Sequence, residues 1–195
     1  MIIEEILLQM TKKKTNIINL PTILTLIRVI LVIPLFVLIF FDNLPAKILT
    51  LAFFIVASVT DFVDGYLARK NKQVTDLGAF LDPLADKMLV NLTFLALTYQ
   101  NLVPIWLFAI IIVRDFMVDG VRMMEAKKDI TLAASKTGKA KTMVQMITLS
   151  LILLNKIIGS EVFTNINFAL LIIVLVLTVI SGLEYLVKGW KSIIK

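Results

Sequence analysis

The sequence has 195 residues, of which 59% are hydrophobic, and its formal net charge is +6. Its mean hydropathy is +0.94, and its apolar fraction exceeds the roughly 45–50% of soluble domains, so we expect a protein of the lipid bilayer. Neither Cys nor His is present, which excludes disulfides, thiolate chemistry, His general bases and the usual His/Cys zinc sites. Nucleic acid is not an expected partner, because positive charge in so apolar a chain is more typical of cytoplasmic loops and an anionic substrate.

The first segment, 1–14, places acidic residues before a basic cluster and has no small-residue cleavage site. It predicts an amphipathic helix at the membrane interface, with a disordered tail as the alternative, and argues against a cleaved signal peptide. Six mainly apolar segments follow, each near the roughly 20 residues that a spanning helix needs. They cover 20–41, 46–68, 80–99, 103–124, 140–158 and 165–187. No linker or repeat divides them, so we predict one domain over 1–195 and an all-α membrane region over 20–187.

Basic residues collect on one side of these six predicted spans. That side receives Lys12, Lys13, Lys14, Arg69, Lys70, Lys72, Lys127, Lys128, Lys136, Lys139, Lys141, Lys188, Lys191 and Lys195. The opposite connectors contain only Lys47 and Lys156. By the positive-inside rule, the basic side and both termini are cytoplasmic. Most charged residues inside the spans also lie toward this side, which indicates a hydrated cavity that opens inward.

Two acidic motifs lie where the second and third predicted spans meet the cytoplasmic side. The first reads Asp61-Phe-Val-Asp64-Gly65-Tyr-Leu-Ala68-Arg69, and the second reads Gly78-Ala-Phe-Leu-Asp82-Pro-Leu-Ala-Asp86. On helices, the offsets i, i+3, i+4 and i+7 of the first motif fall on one face, as do the four-residue steps of the second. The short connector allows the two helices to run antiparallel. We therefore expect the four aspartates to converge.

Converging carboxylates in a chain without His or Cys are typical of a site for hard cations, Mg²⁺ or Mn²⁺. Two such ions about 4 Å apart can clamp both oxygens of an in-line phosphoryl displacement. Gly65 and Ala68 leave space for a ligand on the acidic face, and Arg69 is suited to bind its phosphates. Alone, Gly65 and Ala68 would be read as helix-packing residues. Four buried acids without a ligand would repel one another, which disfavours a purely structural interpretation.

The combined pattern DxxDGxxARx₈GxxxDxxxD matches every fixed position of the signature of CDP-alcohol phosphotransferases. Segments 19–28, 138–142 and 181–185 are also similar to bacterial phosphatidylglycerophosphate synthases. The resemblance implies the CDP-alcohol phosphotransferase fold, a homodimer, and a multi-pass protein of the bacterial plasma membrane with a cytoplasmic active site. It also implies transfer of a phosphatidyl group from CDP-diacylglycerol to an alcohol, with CMP as the leaving group.

The same resemblance assigns roles to individual residues. Two divalent cations would be bound by Asp61, Asp64, Asp82 and Asp86. Asp86 would also act as the base on the acceptor hydroxyl. The CDP-lipid site would comprise Asp61, Gly65, Ala68, Arg69 and Gly78, and we add Thr25 to it. Thr25 and Arg28 lie three residues apart on the first predicted span, and the alternatives for both are a place in either substrate site or local pairing with acids.

The acceptor is indicated by basic residues of the fourth and fifth predicted spans. A phosphate-bearing acceptor needs cations, and the candidates are Arg114, Arg122, Lys139, Lys141 and Arg28. With the resemblance, they favour glycerol 3-phosphate and the product phosphatidylglycerophosphate. Ion pairing with Asp115 or Asp119 is the alternative for Arg114, and a positively charged loop is the alternative for the two lysines. Phosphatidylglycerol, inositol phosphate and serine are the alternative acceptors. A small cation transporter and a membrane scaffold are the alternatives from other classes of protein.

Overall fold

A computed structural model of the chain describes residues 20–71, 76–126 and 135–194, which form six α-helices. The helices are α1 (Leu20–Leu38), α2 (Leu44–Asn71), α3 (Asp76–Tyr99), α4 (Ile105–Ala126), α5 (Lys136–Ile158) and α6 (Glu161–Ile194). These residues contain no strand, so the all-α prediction is confirmed. Each helix corresponds to one predicted apolar segment, although α6 extends well beyond its predicted end. The amphipathic segment 1–14 lies outside the described residues.

Three stretches of these helices are long and apolar enough to cross a bilayer: Leu44–Asp61 in α2, Lys136–Ile158 in α5 and Glu161–Val187 in α6. α1 contributes a shorter apolar run, Ile23–Leu38. Charged residues interrupt the apolar runs of α3 and α4, since these helices carry the residues of the candidate site. The chain is a membrane protein, and the count of six spans stays a prediction.

The interior of the bundle is a single apolar cluster to which all six helices contribute. α1 packs against α2 and α3, α2 also contacts α5, and α6 lies along both α4 and α5. Fully buried members include Leu35, Phe54, Phe94, Ile111, Leu149 and Val174. Large apolar side chains also cover the outside, such as Ile30, Phe116 and Val162. Helices that are apolar all round are typical of a bundle surrounded by lipid.

A polar clamp ties three helices together at one end of the bundle. Lys156 Nζ donates to the Ile39 carbonyl oxygen at 2.9 Å and to Gln100 Oε1 at 2.6 Å. Gln100 Nε2 also donates to the Ile39 oxygen, at 2.7 Å. These contacts join the chain after α1 to the residues following α3 and to the last turn of α5. The clamp satisfies a carbonyl at a helix end that has no partner within its own helix.

α4 and α6 approach closely at the opposite end, where α6 has a glycine. A Cβ atom added at Gly189 would lie 2.5 Å from Cγ1 of Val121 on α4. Val121 is β-branched and has little rotamer freedom in a helix, so it cannot easily move aside. Small residues allow such close packing between membrane helices. The absence of a side chain at residue 189 therefore sets the separation of α4 and α6.

We expect Gly189→Ala to destabilise the protein by about 1–3 kcal/mol, the usual cost of overpacking, because α4 and α6 must move apart. Thermal unfolding of the detergent-purified protein should show a lower midpoint. Gly120→Ala on α4 is the matched control, since no atom lies within 4 Å of its added Cβ. Its midpoint should stay equal or rise slightly, because Ala favours the helix. Equal midpoints for the two variants would contradict this interpretation of the helix contact.

Candidate active site

An ion pair joins α1 to the first aspartate of the acidic motif. Arg28 is fully buried, and its Nη1 donates to Asp61 Oδ1 at 2.5 Å. Thr25, one turn earlier on α1, is also fully buried. The Asp61 side chain is 31% exposed. α1 thus supplies a cation to a partly exposed carboxylate. Pairing with a nearby acid is the alternative to a substrate-binding role for Arg28, and the structure contains such a pair.

Asp86 of α3 presents a carboxylate oxygen with unused bonding capacity. Its Oδ1 is buried and has no hydrogen-bond partner among the described residues. Asp61, Arg28, Lys141 and Asp115 all lie within electrostatic range of Asp86. An unpaired buried carboxylate oxygen is unfavourable unless a ligand occupies it. Asp86 therefore fits the donor that a hard cation or an acceptor hydroxyl requires.

The remaining residues of the acidic motif lie on helical backbone, as their spacing predicted. Asp64, Gly65, Ala68 and Arg69 belong to the last turns of α2. Gly78 and Asp82 belong to the first turns of α3. Their side chains are outside the part of the structure that is described. Among the side chains that are described, no three metal-ligating residues gather at one point, so convergence of all four aspartates stays a prediction.

A second buried charge cluster joins α4 to α5. Asp115 Oδ1 accepts hydrogen bonds from Lys141 Nζ at 2.5 Å and from Arg114 Nη1 at 3.0 Å. Lys141 is only 3% exposed, whereas Lys139 is exposed. The two lysines predicted to bind the acceptor therefore differ in environment. An ion pair with Asp115 is one of the alternatives predicted for Arg114, and the structure contains that pair.

Tyr185 of α6 lies between the two predicted acceptor arginines. It is 2% exposed, and its hydroxyl accepts hydrogen bonds from Arg122 Nη2 at 2.9 Å and from the Ser135 backbone N–H at 3.0 Å. The guanidinium carbons of Arg114 and Arg122 lie 5.7 Å and 5.3 Å from the centre of its ring. The sequence placed Tyr185 in a motif of the resemblance without giving it a role.

The start of α5 is held by the same part of α6. Ser135 has an extended backbone, and its Oγ accepts a hydrogen bond from the Gly138 N–H at 3.0 Å, as an N-cap residue does. Thr137 Oγ1 donates to Glu184 Oε2 at 2.6 Å. The neighbouring residues Glu184 and Tyr185 thus fix the first turn of the helix that carries Lys139 and Lys141.

Two further features border this charged region. Lys87, next to Asp86, forms an ion pair with Asp119 that joins α3 to α4. Both side chains are about one-third exposed, so this pair contributes little stability. An apolar groove of about 320 Å³ separates parts of α4 and α6, and residues Val113, Met117 and Gly182 line it together with Arg114. Arg114 therefore lies at the boundary between the apolar groove and the charged interior.

We expect Lys141→Met to lower the stability of the protein by about 3 kcal/mol, because it leaves Asp115 buried with one cation fewer. Lys139→Met is the matched control, two residues earlier and exposed, and should change stability by less than about 0.5 kcal/mol. Thermal unfolding in the same detergent measures both. Similar midpoints for the two variants would show that the pair of Lys141 with Asp115 does not stabilise the bundle.

A family model and several named proteins are similar to this chain. The family model described as CDP-alcohol phosphatidyltransferase matches residues 18–180, which include all of the acidic motif. A Bacillus subtilis (strain 168) protein named CDP-diacylglycerol–glycerol-3-phosphate 3-phosphatidyltransferase is 40% identical over 189 residues, covering 90% of this chain and 97% of the relative.

Proteins of the same name from other bacteria are also similar to this chain. The Rickettsia bellii protein is 37% identical over 169 residues, and the Shigella flexneri serotype 5b protein is 42% identical over 173 residues. Each alignment covers 86% of this chain and 93% of the relative. The family model covers well over half of the chain, and the relatives align along nearly their whole length. The chain belongs to the CDP-alcohol phosphatidyltransferase family.

Proposed function

We propose that this enzyme transfers the phosphatidyl group of CDP-diacylglycerol to sn-glycerol 3-phosphate, giving phosphatidylglycerophosphate and CMP in glycerophospholipid biosynthesis. The observation that carries the proposal is the buried Oδ1 atom of Asp86, which has no partner among the described residues. Asp86 is the last residue of the family's acidic motif. The names of the relatives support glycerol 3-phosphate as the acceptor.

Asp61, Asp64, Asp82 and Asp86 would hold two divalent cations, Mg²⁺ or Mn²⁺. The unpartnered oxygen of Asp86 supports this, as does a donor set made only of carboxylates. When bound, such ions neutralise the diphosphate and stabilise the departing nucleotide phosphate. Arg28 fixes the orientation of the Asp61 carboxylate through their 2.5 Å contact.

Asp86 would take the proton of the acceptor hydroxyl as that oxygen attacks the lipid-side phosphorus. A general base must reach the hydroxyl directly, and a carboxylate oxygen not already bonded to a protein donor is suited to do so. Lys141 and Arg28 lie near enough to stabilise the ionised carboxylate. For the CDP-lipid site we propose Asp61, Gly65, Ala68, Arg69, Gly78 and Thr25.

Arg114 and Arg122 supply the cations for the acceptor phosphate, and both face the ring of Tyr185. Lys139 is exposed beside them, and Arg28 contributes from the other side of Asp86. Lys141 is engaged by Asp115, so it contributes mainly by balancing charge within the site. Guanidinium groups bind phosphate oxygens through paired hydrogen bonds, which favours an acceptor that carries a phosphate.

We further propose that the charged end of the bundle faces the cytoplasm of a bacterial cell and that the enzyme is a homodimer. The excess of Lys and Arg in the connectors on that side supports the orientation. A small cation transporter is the candidate from another class. Against it, the charged side chains described here crowd one end, while the polar groups of the clamp at the other end bind one another.

The purified protein should release CMP from CDP-diacylglycerol when Mg²⁺ or Mn²⁺ and glycerol 3-phosphate are supplied. Parallel reactions with phosphatidylglycerol, inositol phosphate and serine identify the acceptor, and a reaction with a chelator tests the need for metal. The largest kcat/KM is expected with glycerol 3-phosphate. Release of CMP with none of the four acceptors would refute the proposed activity, and preference for another acceptor would refute only the choice of alcohol.

Asp86→Asn should reduce turnover by at least about 100-fold while CDP-diacylglycerol still binds, because the amide cannot accept the proton. Single-turnover CMP release measures the chemical step, and binding is measured by protection against thermal unfolding. Asp42→Asn is the matched control, because it makes the same acid-to-amide change at a side chain that is 90% exposed. Turnover of Asp86→Asn at the wild-type rate would show that Asp86 is not the base.

A further inference from the structure

We infer that Tyr185 is a positioning residue for the acceptor, since its ring and hydroxyl hold Arg114, Arg122 and the first turn of α5 in one arrangement. The inference rests on the proposed function, which gives the two arginines a phosphate to bind. In this role Tyr185 acts through the two arginines that it holds. Its role follows from three sets of contacts that meet at a single side chain.

The hydroxyl of Tyr185 links two helices to α6. It accepts one hydrogen bond from Arg122 of α4 at 2.9 Å and one from the Ser135 N–H before α5 at 3.0 Å. A phenol oxygen has two lone pairs, so both acceptor positions are used. The side chain is 2% exposed, and water is poorly placed to replace either bond. Loss of this oxygen would release Arg122 and the start of α5 together.

The ring of Tyr185 stabilises two neighbouring positive charges, those of Arg114 and Arg122. The guanidinium carbons of Arg114 and Arg122 both lie within 6 Å of the ring centre, at 5.7 Å and 5.3 Å. The negative face of an aromatic ring attracts such cations, and this attraction opposes their mutual repulsion. Arg114 is also bonded to Asp115, whereas Arg122 bonds to the Tyr185 hydroxyl. Arg122 therefore depends most on Tyr185 for its position.

The first turn of α5 packs directly on this group. A Cβ added at Gly138 would lie 3.0 Å from Ser135 Oγ, 3.6 Å from Arg114 Nη2 and 3.7 Å from Tyr185 Cε2. The turn therefore has little freedom to shift relative to the ring. One turn later, Lys141 reaches Asp115, within electrostatic range of Asp86. Tyr185 thus fixes the arginines relative to the proposed base.

Tyr185→Phe removes only the hydroxyl and is the decisive variant. We expect KM for glycerol 3-phosphate to rise roughly tenfold, because the charged donor Arg122 loses its acceptor, the Tyr185 hydroxyl oxygen. KM for CDP-diacylglycerol and kcat should change by less than about twofold. Hydrogen–deuterium exchange of the peptide containing Ser135 should become faster. Tyr185→Leu also removes the ring and should raise the acceptor KM further. Tyr99→Phe, at a tyrosine that is 77% exposed, is the matched control and should match wild type in every measurement.

Each outcome decides the inference separately from the proposed activity. An unchanged acceptor KM together with unchanged hydrogen–deuterium exchange in Tyr185→Phe would overturn the inference. An equal rise of KM for both substrates together with a lowered unfolding midpoint would also overturn it, because that result indicates a structural role alone. A wild-type protein that releases no CMP would refute the proposed function instead. Titration with inorganic phosphate would then decide, because weaker binding by Tyr185→Phe than by wild type supports the positioning role and equal binding contradicts it.

Discussion

The structure depends on how charged side chains are accommodated inside a bundle of apolar helices. A carboxylate at membrane depth costs about 2.5–3.5 kcal/mol when it is unpaired, so a cation or a ligand stabilises it. Arg28 meets this need for Asp61, and Lys141 with Arg114 meets it for Asp115. One oxygen of Asp86, in contrast, has no partner among the described residues. That oxygen can therefore accept a bond from a ligand.

The six helices contribute in different ways to the proposed site. α2 and α3 carry the acidic motif, whereas α4 and the start of α5 carry the cations assigned to the acceptor. α1 and α6 contribute few of these groups but hold them in place, α1 through Arg28 and α6 through Glu184 and Tyr185. The long α6 also aligns α4 with α5, because it packs along both of these helices.

Much of this could be predicted from the sequence. Apolar runs of nearly constant length predicted the six helices, and the fixed offsets of the acidic motif predicted helical backbone for Asp61 and Asp86. Partners across helices could not be predicted, since the pairing of Lys141 with Asp115 and of Arg28 with Asp61 depends on packing that sequence spacing does not encode. Tyr185 was missed for the same reason, because a lone tyrosine near a helix end is usually an interfacial residue.

The polar clamp of Lys156, Gln100 and the Ile39 carbonyl has a consequence for where the product goes. Lys156 donates to neutral oxygens there, whereas the proposed base Asp86 lies far from that end. If the reaction takes place at the Asp86 end, both substrates would enter, and the product would leave, through the leaflet on that side. The appearance of the product in the other leaflet would then require a separate transport step.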